Sequence, residues 1–222
     1  MYSESLHNDS ELTVTNGLAD QLKAATWLNH RRAEKTGVIQ AILKQTITRR
    51  QYWNYLSGLY FIYETLENYL SSVKLPQSLV FLSDERHFRK TSIEADLNAL
   101  RVGHDNSERM RSKAVETYCR YIETHAQQSD AAIAGLAYVR YLGDMHGGQI
   151  LKTCLKKSIG LSDEALNFYS FPDLENLIKY RRDFRESLNA LSLIERDRLR
   201  VIDVARNSFE MNIALSIEIC EL

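Results

Sequence analysis

Apolar residues recur every three or four positions along most of this chain, and nowhere does the alternation of a half-buried strand persist. Only two prolines, Pro76 and Pro172, interrupt the pattern, which predicts an all-α fold built from long helices. A polar tail, residues 1–16, precedes a first helix from about Gly17 to Lys35, which Gly37 is placed to end. The segments VIQAILKQTI and YWNYLSGLYFIYETLENYLSSV follow. Pro76 then forces a break with a short apolar piece, LVFL, before a helix from about Ser83 to Leu100. GHDNS, residues 103–107, reads as a turn leading into a helix that runs to about His125. Ser129 or Asp130 can cap the next helix and Gly160 can close it. Two more helices, roughly Asp173 to Ala190 and Ile194 to Glu221, complete the chain. Residues 17–222 read as a single domain, because the length suffices for one substantial core and no shift in composition marks a second.

Composition narrows the function classes. A net charge of −1 gives no global field to draw in nucleic acid. The longest uncharged stretch, Gln51 to Tyr63, falls well short of the roughly 18 to 20 apolar residues that cross a bilayer. The N-terminus MYSESLHNDSELTVT has neither a basic region before an apolar core nor an Arg-rich transit pattern. Cys119, Cys154 and Cys220 form no CxxC pair, which suits reduced thiols in a cytosol or simply three small buried apolar residues. The expectation is a cytoplasmic protein without a membrane span or a nucleic-acid partner.

One stretch is costly for a helix. RYLGDMHGGQ, Arg140 to Gln149, holds three glycines, which together cost about 2 to 3 kcal/mol against alanine. Gly143 and Gly147 are four apart, so they stack on one face and leave a flat furrow more than a turn long. Such a furrow receives either another helix or a flat ligand that must touch backbone. A phosphate loop is excluded by the missing Walker lysine and preceding strand. Asp144 and His146 beside the furrow are expensive in a plain helix contact, whereas a polar ligand would give each a partner.

The first helix carries a second candidate. In LKAATWLNHRRAEKTG, His30 sits at the edge of the apolar face, either as a boundary histidine satisfied by its neighbours or as a metal ligand. Glu34, one turn on, can accept the ring proton that leaves the other nitrogen free. Lys23 lies two turns back, about 10 Å along the same face at 1.5 Å per residue, where it can meet an anionic group.

Together the two stretches resemble heme oxygenase. The family's first-helix pattern, LKxAT, then the heme-ligating histidine and AE, stands here as LKAATWLNHRRAE. Its distal pattern, usually YxRYLGDLSGGQ, stands as YVRYLGDMHGGQILK. Further similarity runs through LYFIYETLE, ERHFRKTSIEADL, FYSFPDLENLIKYRRDFRESLNAL and ARNSFEMNIALSIEICEL, covering about residues 18–222.

The resemblance implies a fold in which heme is sandwiched between a proximal and a glycine-kinked distal helix. It assigns His30 as the iron ligand and Glu34 as the carboxylate that orients it. Gly143 and Gly147 would let backbone lie against the porphyrin, with Gly148 beside them. Asp144 would hold distal water, supported by Tyr63, Tyr118, Arg140 and Asn212, while Phe209 would be an aromatic pocket residue. Lys23, Tyr138, Arg181 and Arg185 would grip the propionates, and Arg181 and Arg185 would thereby influence which isomer forms. The implied reaction is reductant-dependent cleavage of heme b at a meso carbon by O2, releasing biliverdin, carbon monoxide and ferrous iron, with heme as both cofactor and substrate. Electrons would come from an external reductase or ferredoxin, and a biliverdin-using protein would follow.

Two positions depart from the pattern. Trp27 stands where relatives often carry a propionate-binding lysine, and His146 stands in place of serine. The imidazole of His146 can reach the iron, reach distal water, or lie along the heme edge. A helical heme-sequestering protein would use the same pocket without turnover. A thiaminase-type helical fold would not need His30 with the distal motif. A di-iron bundle lacks its paired Glu-x-x-His motifs, and c-type heme its CxxCH.

Overall fold

A computed structural model of the chain describes residues 17–100, 109 and 111–222. The expected polar tail, residues 1–16, and the GHDNS turn lie outside the described residues. Among the described residues there is no strand, and the helices are α1 Leu18–Ala33, α2 Gly37–Leu43, α3 Arg49–Ser72, α4 Lys90–Leu100, α5 Lys113–Gln128, α6 Asp130–Ala137, α7 Gly143–Ile159, α8 Leu177–Asn189 and α9 Glu195–Glu221. A π-helical turn, Tyr138–Leu142, joins α6 to α7. No helix among them is long and apolar enough to cross a membrane.

Helix α3 runs through the middle of the core, starting from a capping box in which Thr48 and Gln51 satisfy each other's backbone donors. Its Tyr52, Leu56, Leu59, Ile62, Tyr63 and Leu66 are fully buried, each apolar side chain contributing on the order of 2 kcal/mol. It packs against α4, α5 and α9, while α9 also receives α1, α2 and α6. The small residues of α6, Ala131 to Ala137, let it lie close to α9, and a methyl on Gly135 would strike the Val201 carbonyl.

Several boundaries differ from the pattern's expectation. Gly37 does not end α1, which stops at Ala33; it opens α2 at a φ of +53°, where a side chain would strike the Ser216 backbone of α9. The helix expected from Ser83 begins only at Lys90. Residues 77–87 form short 3-10 turns, and the buried Glu67 carboxylate of α3 caps α4 by accepting from the backbone N–H groups of Arg89 (2.5 Å) and Lys90 (3.1 Å). Ser129 holds the N-cap position of α6 without a side-chain cap bond. Helix α8 starts at Leu177, because Asn176 accepts from the Lys179 N–H at 2.8 Å. Gly160 closes α7 in the left-handed conformation, as expected.

Candidate functional site

Three helical faces enclose a cavity of about 480 Å³. From α1 come Lys23, Thr26, Trp27 and His30; from α8 come Ile178, Arg181, Arg182 and Arg185. Each set follows the i, i+3, i+4, i+7 spacing of a single helical stripe. The third wall is Tyr138, Val139 and Leu142 of the π turn with Gly143 and His146 of α7, and Phe209 of α9 closes the floor. A volume of this size suits a cofactor-sized ligand.

His30 and Gly143 line the same space, while Gly147, one turn on, is not among the lining residues. The His30 ring meets Phe209 edge-on, with centroids 6.0 Å apart. Its Nδ1 lies 3.7 Å from a Glu34 carboxylate oxygen, an ion-pair distance and longer than a hydrogen bond. A methyl built on Gly143 or Gly147 would meet no protein atom within 4 Å, so that face is open to an occupant. Gly148 differs: its Cβ would stand 3.1 Å from the buried Tyr169 ring, which places it against the core and away from the cavity wall.

Behind the π turn lies a buried polar cluster. The Tyr63 hydroxyl donates to Asp144, and the Arg140 guanidinium donates to Tyr63 at 3.2 Å and to Asn212. Arg140 Nη2 lies 3.6 Å from the second Asp144 oxygen. Tyr118 stands beside Ser208 and Arg140. Burial pushes the Asp144 carboxyl above its ordinary pKa, while Arg140 and the Tyr63 hydroxyl pull it back. Burial disfavours the Arg140 cation, but the surrounding Tyr63, Asp144, Tyr118 and Tyr55 outweigh it and hold the guanidinium charged. None of Tyr63, Tyr118, Arg140, Asp144 and Asn212 lines the cavity; Tyr63, Asp144, Arg140 and Asn212 form one network behind its α7 wall, and the buried Tyr118 hydroxyl beside them makes no hydrogen bond among the described residues.

The cavity edge is cationic. Lys23, Arg181, Arg182 and Arg185 line it without a carboxylate among the lining residues. Arg185 also pairs with Asp20 of α1 at 2.8 Å, tying α8 to α1. Arg181 donates to the Met145 carbonyl at 3.2 Å and lies 3.3 Å from His146 Nδ1. Burial raises the Tyr138 hydroxyl's pKa. Thr26, Val139, Leu142, Ile178 and Arg182 are lining residues that the sequence reading did not single out. Ile178 and Arg182 share the helical stripe of Arg181 and Arg185, and that periodicity is the signal that finds them.

These features define a class: an all-α protein with a cation-edged cavity between a histidine-bearing helix and a glycine-backed one. The heme oxygenase family model matches residues 16–218. Heme oxygenase 1 of Synechocystis is 29% identical over 89% of this chain and 82% of its own length, and Heme oxygenase 1 of Homo sapiens is 33% identical over 95% and 74%. The crystal structure of the Synechocystis heme oxygenase-1 in complex with heme superimposes with a TM-score of 0.86 at 28% identity, covering 91% of this chain and 92% of that one. The heme oxygenase of Leptospira interrogans gives 0.86 at 25% identity, over 91% and 100%. The chain belongs to the heme oxygenase family. It is an enzyme with heme oxygenase activity, and the reading as a heme-sequestering protein without turnover is not favoured.

Proposed function

We propose that heme b enters this cavity with its iron on His30, its ring against the backbone at Gly143 and Gly147, and its propionates on Lys23, Tyr138, Arg181 and Arg185. The observation that carries this reading is that His30 and Gly143 line one cavity whose edge is ringed by four cations. When bound, heme supplies the iron that takes up O2 and electrons and the meso carbon that is oxidised, yielding biliverdin, carbon monoxide and ferrous iron.

The protein's own contribution is to position heme and to organise a polar network on the distal side. His30, whose ring packs edge-on against Phe209, would hold the iron, and Glu34 beside its Nδ1 favours the ring orientation that leaves the other nitrogen for the metal. The bare backbone at Gly143 brings the distal helix within contact of a flat ring. Asp144 would hold water on the distal side and relay a proton through it, while Arg140, Tyr63 and Asn212 keep its carboxylate in place. Among the described residues no carboxylate lines the cavity, and Asp144 stands behind its wall. Arg182 adds to the propionate grip, and the same cationic edge suits docking of an acidic reductase or ferredoxin.

The test is hemin titration followed by reduction. Purified protein with hemin should lose its Soret absorbance on addition of ascorbate as biliverdin appears; a Soret band that persists would refute turnover. His30→Ala should change the ferric spectrum, and an unchanged one would refute the ligand assignment.

A further inference from the structure

We propose that His146 and Arg181 act as one anion-recognising pair at the cavity edge, in which Arg181 fixes the His146 imidazole as a hydrogen-bond donor to a ligand carboxylate. The proposal rests on the heme reading above, and it excludes His146 as an iron ligand.

A proton count carries it. Arg181 Nη1 lies 3.3 Å from His146 Nδ1 and also donates to the Met145 carbonyl one residue earlier, at 3.2 Å, so the guanidinium is anchored on the same turn of α7. A guanidinium has only N–H groups and accepts nothing. Nδ1 of His146 is therefore the bare, accepting nitrogen, and the ring proton sits on Nε2. In that tautomer neither nitrogen can ligate a metal: Nδ1 has its lone pair engaged by Arg181, and Nε2 carries a hydrogen. What remains is one N–H donor on a ring that lines the cavity.

The electrostatic setting agrees. Partial burial and then the positive charge of Arg181, with His30, Lys23 and Arg185 beyond it, hold the His146 pKa below its ordinary value. A neutral imidazole is the form whose Nδ1 can accept from Arg181. The pair thus presents the remaining guanidinium donors and an imidazole N–H side by side, a match for a carboxylate and a mismatch for its methyl ester.

The experiment compares equilibrium binding of hemin and hemin dimethyl ester, in which both propionates are capped, together with ferric visible spectra of each complex. Wild-type protein is expected to prefer hemin. His146→Leu is expected to cut that preference by about three- to tenfold, the scale of one ordinary net hydrogen bond at a solvent-accessible edge. His146→Gln, whose carbonyl can accept from Arg181 while its amide donates, should restore much of it. The ferric hemin spectrum should be the same for all three proteins. A changed ferric spin state in His146→Leu would make His146 an iron ligand and overturn the proposal. Full preference retained in His146→Leu, with a spectrum that still depends on His30, would overturn it while leaving the heme pocket intact. If wild type shows no preference and His30→Ala leaves the spectrum unchanged, the pocket reading and this one fall together.

Discussion

At the scale of single residues, the three glycines of the distal motif have separate jobs. Alanine at Gly143 or Gly147 would gain about 1 kcal/mol of helix propensity and meet no protein atom, so neither glycine is needed for folding. Both Gly143→Ala and Gly147→Ala are expected to melt at or above the wild-type temperature. Their methyls would nonetheless enter the space proposed for the porphyrin. Hemin affinity should fall about tenfold or more, since overpacking a rigid contact costs roughly 1–3 kcal/mol. Gly148→Ala reverses the pattern: its methyl presses on the buried Tyr169 ring at 3.1 Å, which predicts lost stability with hemin affinity largely kept. Calorimetry and hemin titration of the three variants separate the two roles; a stability loss at Gly143 would show that its bareness serves packing instead.

At the scale of helices, α1 holds the proposed ligand histidine but is itself held from α9. Glu210 accepts from Asn29 at 2.5 Å and from Arg32, residues that bracket His30, and Arg206 donates to the Ala25 carbonyl at 3.2 Å. The Arg32 and Glu210 side chains are about half exposed, so the pair contributes under about 1 kcal/mol to global stability. Its effect should be local. Glu210→Ala is expected to weaken hemin binding a few-fold and speed amide exchange in the last two turns of α1 with little change in melting temperature; unchanged exchange there would show that core packing alone fixes the helix. Helices of this kind were legible in the sequence wherever apolar periodicity ran unbroken, as in α3 and α9. The late start of α4 was not, because its N-terminus is capped by Glu67 from another helix, a contact that local spacing does not encode. Nor was the π turn at Tyr138–Leu142, where one extra residue per turn puts Arg140 and Tyr141 into the core while Tyr138, Val139 and Leu142 line the cavity. The candidate residues of the two compact motifs could be picked out in the sequence, whereas Arg181, Arg185 and Phe209, which the structure brings to the same cavity, followed only from the resemblance. The division into cavity wall and buried network was not legible, since it depends on how α7 is rotated against α3 and α9.

At the scale of the whole molecule, the cavity's walls are tied together through a buried histidine far from His30. His87 is fully buried, its ring 4.1 Å from Tyr141 of the π turn, its Nδ1 2.8 Å from the Tyr180 hydroxyl of α8 and its Nε2 3.2 Å from the Leu82 carbonyl. Tyr180 also donates to Asp84 at 2.8 Å. The Leu82 carbonyl can only accept, so the proton of a neutral His87 sits on Nε2, and the single Tyr180 hydrogen must serve Nδ1 and Asp84 in turn. Burial lowers the His87 pKa to about 4, with Asp84 opposing and Arg89 and Arg86 assisting. Between pH 4 and the ordinary histidine value near 6.5, the unfolded chain therefore binds a proton that the folded protein refuses. Stability rises with pH across that window and is lost as pH falls through it, by about 3 kcal/mol at the lower end. Glu67 acts in the opposite sense: burial raises its pKa to about 7 despite the N–H groups of Arg89 and Lys90, so its contribution is lost as pH rises from the ordinary glutamate value toward 7. The two act in opposite directions, so a bare pH profile of the wild-type protein isolates neither. The difference between wild type and His87→Phe removes the shared Glu67 contribution. That difference should be constant above pH 6.5 and shift by about 3 kcal/mol in favour of the variant by pH 4. Chemical denaturation of both proteins at a series of pH values measures it directly, and a difference that does not change with pH would mean that His87 is protonated in the folded core.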